Sequence, residues 1–135
     1  MSNNSSKILK IKSDKSELHL VNKFLSEIFV EHNLSQKIYN KVFLCISEAV
    51  INSIVHGNCN NNKNFVLIEI YCLTNTLHIN IQDEGDGFNL YKVRDPVRAE
   101  NVKKEAGRGI HIIKTLSDNM EYNDKGNRVH FKIRF

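Results

Sequence analysis

Glu48, Asn52 and His56 recur at intervals of four residues, so on a helix they share one face with about 40° of drift per step. An asparagine oxygen can complete a Mg²⁺ shell whose other ligands are phosphate oxygens and water. A carboxylate one turn earlier can orient or deprotonate a hydroxyl nucleophile. Ala49 and Ser53 are small neighbours that leave room for a ligand. The same spacing also fits a solvated polar stripe opposite the core, and His56, at the helix end, reads as structural. A second segment, Asp83-Glu84-Gly85-Asp86-Gly87-Phe88, follows an apolar run. One reading is a tight turn in which glycines supply positive φ. The other is a base pocket: Asp83 accepts a hydrogen bond from an exocyclic amine, Gly85 and Gly87 let the ring approach the backbone, and Glu84 and Asp86 face solvent. No later glutamate has calcium-loop spacing. A third segment, Gly107-Arg108-Gly109-Ile110, puts glycines at the start of a helix, where backbone N–H groups can receive phosphate. Arg108 adds a charge whose geometry matches phosphate. No Gly-Lys-Ser/Thr follows, so this is not a Walker loop, nor does it fit a dinucleotide fingerprint.

The elements that must carry these residues are legible from periodicity. Lys7–Lys12 mixes apolar residues and lysines as an exposed edge strand does. Ser13 is the expected N-cap of a helix whose Leu18, Val21, Phe24, Leu25 and Ile28 recur at helical spacing, ending near His32 and Asn33. Ser35 caps a second helix over 36–56, with Ile38, Val42, Phe43, Ile46, Val50 and Ile54 as its apolar stripe and Gly57 as its stop. Phe65–Leu73 and Leu77–Asp83 are β-rich, joined through a turn at Asn75; Leu77, Ile79 and Ile81 alternate against His78, Asn80 and Gln82. Residues 89–106 read as a loop, and 109–116 as a helix. A hairpin closes the chain, with Met120–Tyr122, a turn over 123–126, then Val129, Phe131, Ile133 and Phe135 alternating with basic residues. No strand–helix–strand rhythm repeats, so the expected class is α+β: a two-layer sandwich with helices on one face of a mixed, largely antiparallel sheet.

In this order and spacing the three segments resemble the N, G1 and G2 boxes of the Bergerat-fold ATPase/kinase superfamily, and more closely the small anti-sigma-factor serine kinases of bacterial sporulation and stress switches. Glu48-Ala49-x-x-Asn52-x-x-x-His56-Gly57 resembles their N box. Asp95-Pro96, Glu100-Asn101 and Gly107-Arg108-Gly109-Ile110-x-x-Ile113 resemble their short lid and G2 segment. The resemblance runs from about Lys7 to Phe135. It implies a single histidine-kinase-like ATP-binding domain over residues 1–135, with Mg-ATP held between helices and sheet. By family role Asn52 would hold Mg²⁺, Asp83 would bond the adenine amino group, and Gly85 and Gly87 would shape the base pocket. Gly107, Arg108 and Gly109, with Ile110, would hold the phosphates, and Glu48 would be the general base. There is one departure: the family often has Thr after the glycine of the last hairpin, where here Gly126 is followed by Asn127 and Arg128.

Bulk properties agree. At 135 residues, 41% hydrophobic and 25% charged, the chain has the size and composition of one globular domain. Consecutive apolar residues do not approach membrane length and the polar start is no signal peptide, so the expected address is cytoplasmic. A net charge of +4 comes with scattered bases and interleaved acids, which argues against direct nucleic-acid binding. The three cysteines, Cys45, Cys59 and Cys72, form no Cys-x-x-Cys pair; Cys45 and Cys72 are expected as reduced core thiols, and zinc has no support. The leading expectation is therefore an ATP- and Mg²⁺-dependent protein serine/threonine kinase acting as an anti-sigma factor. Its expected partners are a sigma factor and an anti-anti-sigma protein, and the resemblance allows a homodimer through the first strand. The alternatives are a non-catalytic ATP/ADP-binding module that gates a protein contact and, ranked last, the catalytic half of a histidine kinase.

Overall fold

A computed structural model describes residues 6–85 and 107–135. Strand β1 (Lys7–Lys12) precedes helices α1 (Leu18–Glu31) and α2 (Tyr39–Asn52). Strands β2 (Phe65–Leu73) and β3 (Thr76–Gln82) follow, then helix α3, which includes residues 107–116. Strands β4 (Asn119–Tyr122) and β5 (Arg128–Arg134) close the chain. The sheet order is β1-β2-β3-β5-β4, and every pairing among the described residues is antiparallel. This is the expected α+β sandwich, its sheet antiparallel throughout the described residues. β1 lies at an edge with its lysines exposed, Lys7 paired with Glu31 at 3.6 Å and the Lys10 Nζ over the Phe65 ring.

Alternation decides which sheet face is covered. Ile68 pairs with Ile81, Ile70 with Ile79 and Cys72 with Leu77, and across the next ladder Ile79 pairs with Phe131 and Ile81 with Val129. Onto that face α1 brings Val21, Leu25, Ile28 and Phe29, and α2 brings Val42, Cys45, Ile46, Ala49 and Val50. Ile113 of α3 is fully buried in the same core. Each such aliphatic side chain contributes roughly 1.5–3 kcal/mol by leaving water. Residues Gln36–Gly57 are long and apolar enough to cross a membrane by length and composition alone. Their apolar stripe is the one packed into this core, which explains its hydropathy.

The caps differ in one place from expectation. Asp14, not Ser13, caps the first helical segment: extended at φ −144° and ψ 128°, it accepts from the Ser16 N–H and opens a 3-10 turn ahead of α1. Ser13 is still tied to the sheet side, donating its N–H to the Asn64 carbonyl at 3.0 Å. Ser35 caps as expected, accepting from the Lys37 N–H at 3.2 Å. Thr74 and Asn75, at φ 49° and 56°, form the two-residue turn whose left-handed backbone matches strand twist. Phe135 does not continue the inward alternation; the strand ends at Arg134 and Phe135 is 45% exposed.

Candidate functional site

The site begins where α2 stops being an α-helix. Asn58 donates its N–H to the Ser53 carbonyl five residues back at 2.7 Å, and Ser53–Gly57 is a π-helical turn. Such widened turns recur at functional positions because they redirect a helix face. Upstream of the turn, Asn52 is 8% exposed and its buried Nδ2 has no partner among the described residues. A solvated stripe would leave that amide in water, so that reading does not hold for Asn52. Glu48 is half-buried one turn earlier. The two meet α3 at Gly109: a Cβ added there would lie 3.0 Å from both Asn52 Nδ2 and Glu48 Oε2. Glycine at this position lets the third helix approach the two polar groups, and a buried amide without a partner fits a site that a ligand completes.

At the other end of the turn the chain converges on Asp83. This residue follows β3, is 4% exposed, donates its N–H to the Asn127 carbonyl at 2.9 Å and accepts from the Gly85 N–H at Oδ1, at 2.8 Å. Gly57 lies on its carboxylate: an added Cβ would collide with Asp83 Oδ2. A Cβ on Gly85 would collide in turn with the Gly57 carbonyl oxygen. Burial pushes the Asp83 carboxyl up to about 6, against the lowering effects of the Gly85 N–H and the Lys125 charge. Burial likewise pushes the neighbouring Tyr122 phenol up to about 12, with the Asp83 charge adding to it.

Asn58 and Glu84 brace this turn. Asn58 donates from Nδ2 to the Phe65 carbonyl at 3.0 Å and accepts the Glu84 N–H at Oδ1 at 2.9 Å. Glu84 returns a carboxylate oxygen to the Phe65 N–H at 2.6 Å. Glu84 is exposed, as expected, but is engaged. Asn58, buried at 3% exposure, was legible only as a loop-forming residue; what marks it is an amide immediately after a helix-ending glycine. Asn52 and Asp83 wall one recess together with Tyr122 and Asn127, over an apolar floor of Ile81 and Val129. Tyr122 and Asn127 reach it through the long-range pairing of the last hairpin, which local pattern does not reveal.

Gly107, Arg108 and Ile110 are helical, with Gly107 and Arg108 exposed and Ile110 half-buried. Among the described residues nothing lies within 4 Å of a Cβ added at Gly107, so an open surface surrounds it. Gly87 lies outside the described residues, as do Asp86, Phe88, Asp95, Pro96, Glu100 and Asn101. The structure thus brings together Glu48, Asn52 and Gly109, and, across the recess from Asn52, Asp83 with Gly85 and Gly57. Among the described residues no three His, Cys, Asp or Glu side chains form a metal cage. A single asparagine oxygen is the kind of protein ligand that Mg²⁺ takes alongside phosphate oxygens and water.

The α+β sandwich thus holds a small apolar-floored recess between Asp83 and Asn52, and an acid–amide pair, Glu48 and Asn52, under Gly109 of a neighbouring helix. A family model for the histidine kinase-like ATPase domain matches residues 11–133, and the chain belongs to that family. It is similar to the anti-sigma F factor of Clostridium perfringens (strain 13 / Type A), 33% identical over 93 residues, which covers 64% of this chain and 66% of that protein. The anti-sigma F factor of Clostridium botulinum (strain Alaska E43 / Type E3) is 33% identical over 95 residues, 67% of this chain and 66% of the relative. That of Geobacillus sp. (strain WCH70) is 32% identical over 92 residues, 64% and 63%. The chain spans just under two thirds of the length of these relatives.

Proposed function

We propose that residues 1–135 form one ATP-binding domain that works as a regulatory protein serine/threonine kinase and anti-sigma factor. Its substrate would be a hydroxyl of an anti-anti-sigma protein, and a sigma factor its second partner. The observation that carries this reading is the convergence of Glu48 Oε2 and the Asn52 amide on Gly109. A nucleotide-binding module needs the recess but has no need for a half-buried carboxylate beside the amide. In the reaction the substrate hydroxyl oxygen forms a bond to the γ-phosphorus, the bond from that phosphorus to the β–γ bridging oxygen breaks, and ADP and a phosphoester result. Glu48 receives the hydroxyl proton.

Asn52 would hold Mg²⁺ through its side-chain oxygen; when bound, that ion neutralises charge on the phosphates. Asp83 would accept from the adenine amino group, with Gly85 and Gly87 keeping the turn thin enough for the ring. Gly107, Arg108, Gly109 and Ile110 would receive the phosphates. The location proposed is the cytoplasm, where a sigma factor and ATP meet, and a homodimer through β1 is compatible with its place at the edge of the sheet among the described residues. The test compares Glu48→Gln with the unsubstituted chain. Loss of transfer to the anti-anti-sigma protein with nucleotide affinity intact supports the kinase. Binding of ADP and ATP without transfer to any partner by either chain favours the alternative, a non-catalytic module that gates a protein contact.

A further inference from the structure

On the sheet face turned away from the helices, side chains from β2, β3, β5 and β4 form one row. Tyr71 of β2 lies opposite His78 of β3, the rings parallel and their centroids 4.7 Å apart. His78 Nδ1 faces His130 Nε2 of β5 at 3.3 Å, diagonally across the β3–β5 ladder. His130 lies opposite Glu121 of β4, whose carboxylate Oε1 is 3.8 Å from His130 Nδ1. Both imidazoles are half-buried. A hydrogen bond between two ring nitrogens needs one N–H and one bare nitrogen. The Glu121 carboxylate favours a hydrogen on His130 Nδ1, which makes His130 Nε2 the acceptor and His78 Nδ1 the donor. A first added proton then enters at His78 Nε2 and leaves the bond in place. A second has only His130 Nε2, where it sets N–H against N–H and one cation beside another. Lys132, opposite His78, and Arg128, two residues before His130 and 3.9 Å from Glu69 of β2, also oppose added positive charge.

We propose that this row is a proton-sensitive clasp: it joins β2, β3, β5 and β4 while its two imidazoles hold at most one added proton, and acidification opens it at the His78–His130 bond. In the unfolded chain both imidazoles protonate near about pH 6.5, whereas the folded chain resists the second proton. Burial acts in the same direction. Burial first, then His130 and Lys132, hold His78 below its ordinary 6.5. Burial lowers His130 as well, against the raising effect of Glu121, with Arg128 and Lys132 adding to the lowering. A lowered imidazole stabilises the fold fully above about pH 6.5 and loses that contribution as pH falls below it. β3 runs directly into Asp83, so the ladder that acid loosens is the one that carries part of the candidate site. The clasp does not depend on which ligand that site takes.

Urea unfolding of the full chain from about pH 8 to about pH 5, beside His78→Gln and His130→Gln, tests this. Asp83 titrates within this range with the opposite sign, but it is common to all three chains, so the differences between them report the imidazole pair. One withheld proton should lower the folding equilibrium constant of the unsubstituted chain, relative to either variant, by up to about tenfold per pH unit below 6.5. Histidine NMR titration of the unsubstituted chain should show one of the two imidazoles protonating while the other stays neutral down to about pH 5. A variant whose stability differs from the unsubstituted chain by the same factor at every pH would reduce the row to packing and overturn the proposal. So would His78 and His130 titrating independently near about 6.5, a readout that needs no variant to fold.

Discussion

Asp83 is a carboxylate held where the unbound protein gains nothing from its charge. Its pKa rises from 3.8 to about 6 on folding, so the folded chain holds the proton more tightly than the unfolded one. The contribution of this group to stability is therefore largest below about pH 4, and declines as pH rises through about 6. Asp83→Asn should remove that cost, raising the stability of the nucleotide-free chain at pH 7.5 by roughly 1–3 kcal/mol in urea unfolding, while nucleotide affinity collapses. A substitution that stabilises the fold and abolishes binding is the mark of a residue kept for its ligand. Cys45 and Cys59 make the contrasting case. Burial pushes the Cys45 thiol up to about 11, whereas Cys59 is exposed. Thiol reagents at pH 7.5 should label Cys59 and leave Cys45 untouched until the chain unfolds, as mass spectrometry of the labelled protein would show.

The decisive element is the π-helical turn that ends α2, because it delivers Gly57 onto the Asp83 carboxylate while leaving Asn52 at the recess. Gly57→Ala puts a methyl group into that carboxylate, and should destabilise the chain by about 1–3 kcal/mol in urea unfolding and weaken nucleotide binding. Asn58→Ala removes both side-chain bonds of the turn, one to Phe65 of β2 and one from Glu84 just after β3. It should cost about 1–3 kcal/mol through the unsatisfied partners, with a larger effect on nucleotide affinity than on the cooperativity of unfolding. Helices and strands were readable in advance because Val42, Ile46 and Val50, or Leu77, Ile79 and Ile81, carry their period locally. The placement of the candidate residues Glu48, Asn52 and Asp83 on or beside those elements was readable with them. Tyr122 was not, since it reaches the recess through the β4–β5 and β3–β5 pairings together, and no local pattern states which strand lies beside which. The Asp14 cap was missed because Ser13 and Asp14 are both good caps, and the hydrogen bond from Ser13 to Asn64 decides between them.

For the whole molecule, the sheet and three helices form a scaffold whose apolar core includes neither Glu48 nor Asn52, so the chemistry can be altered without loss of the fold. The candidate site includes the contact where Gly109 of α3 meets α2. A ligand bridging these elements adds stability only to the folded chain. ATP at a hundred times its dissociation constant should raise unfolding free energy by about 2.7 kcal/mol, readable as a shift in Tm. Gly109→Ala should reduce that shift, because its methyl group would press on both Glu48 and Asn52. The most direct measurement is transfer of labelled γ-phosphate to the anti-anti-sigma protein, comparing the unsubstituted chain with Glu48→Gln at matched nucleotide occupancy. General-base catalysis predicts a rate lowered by about a hundredfold or more with ADP affinity unchanged. Equal transfer by both chains would contradict the assignment of Glu48 as the base.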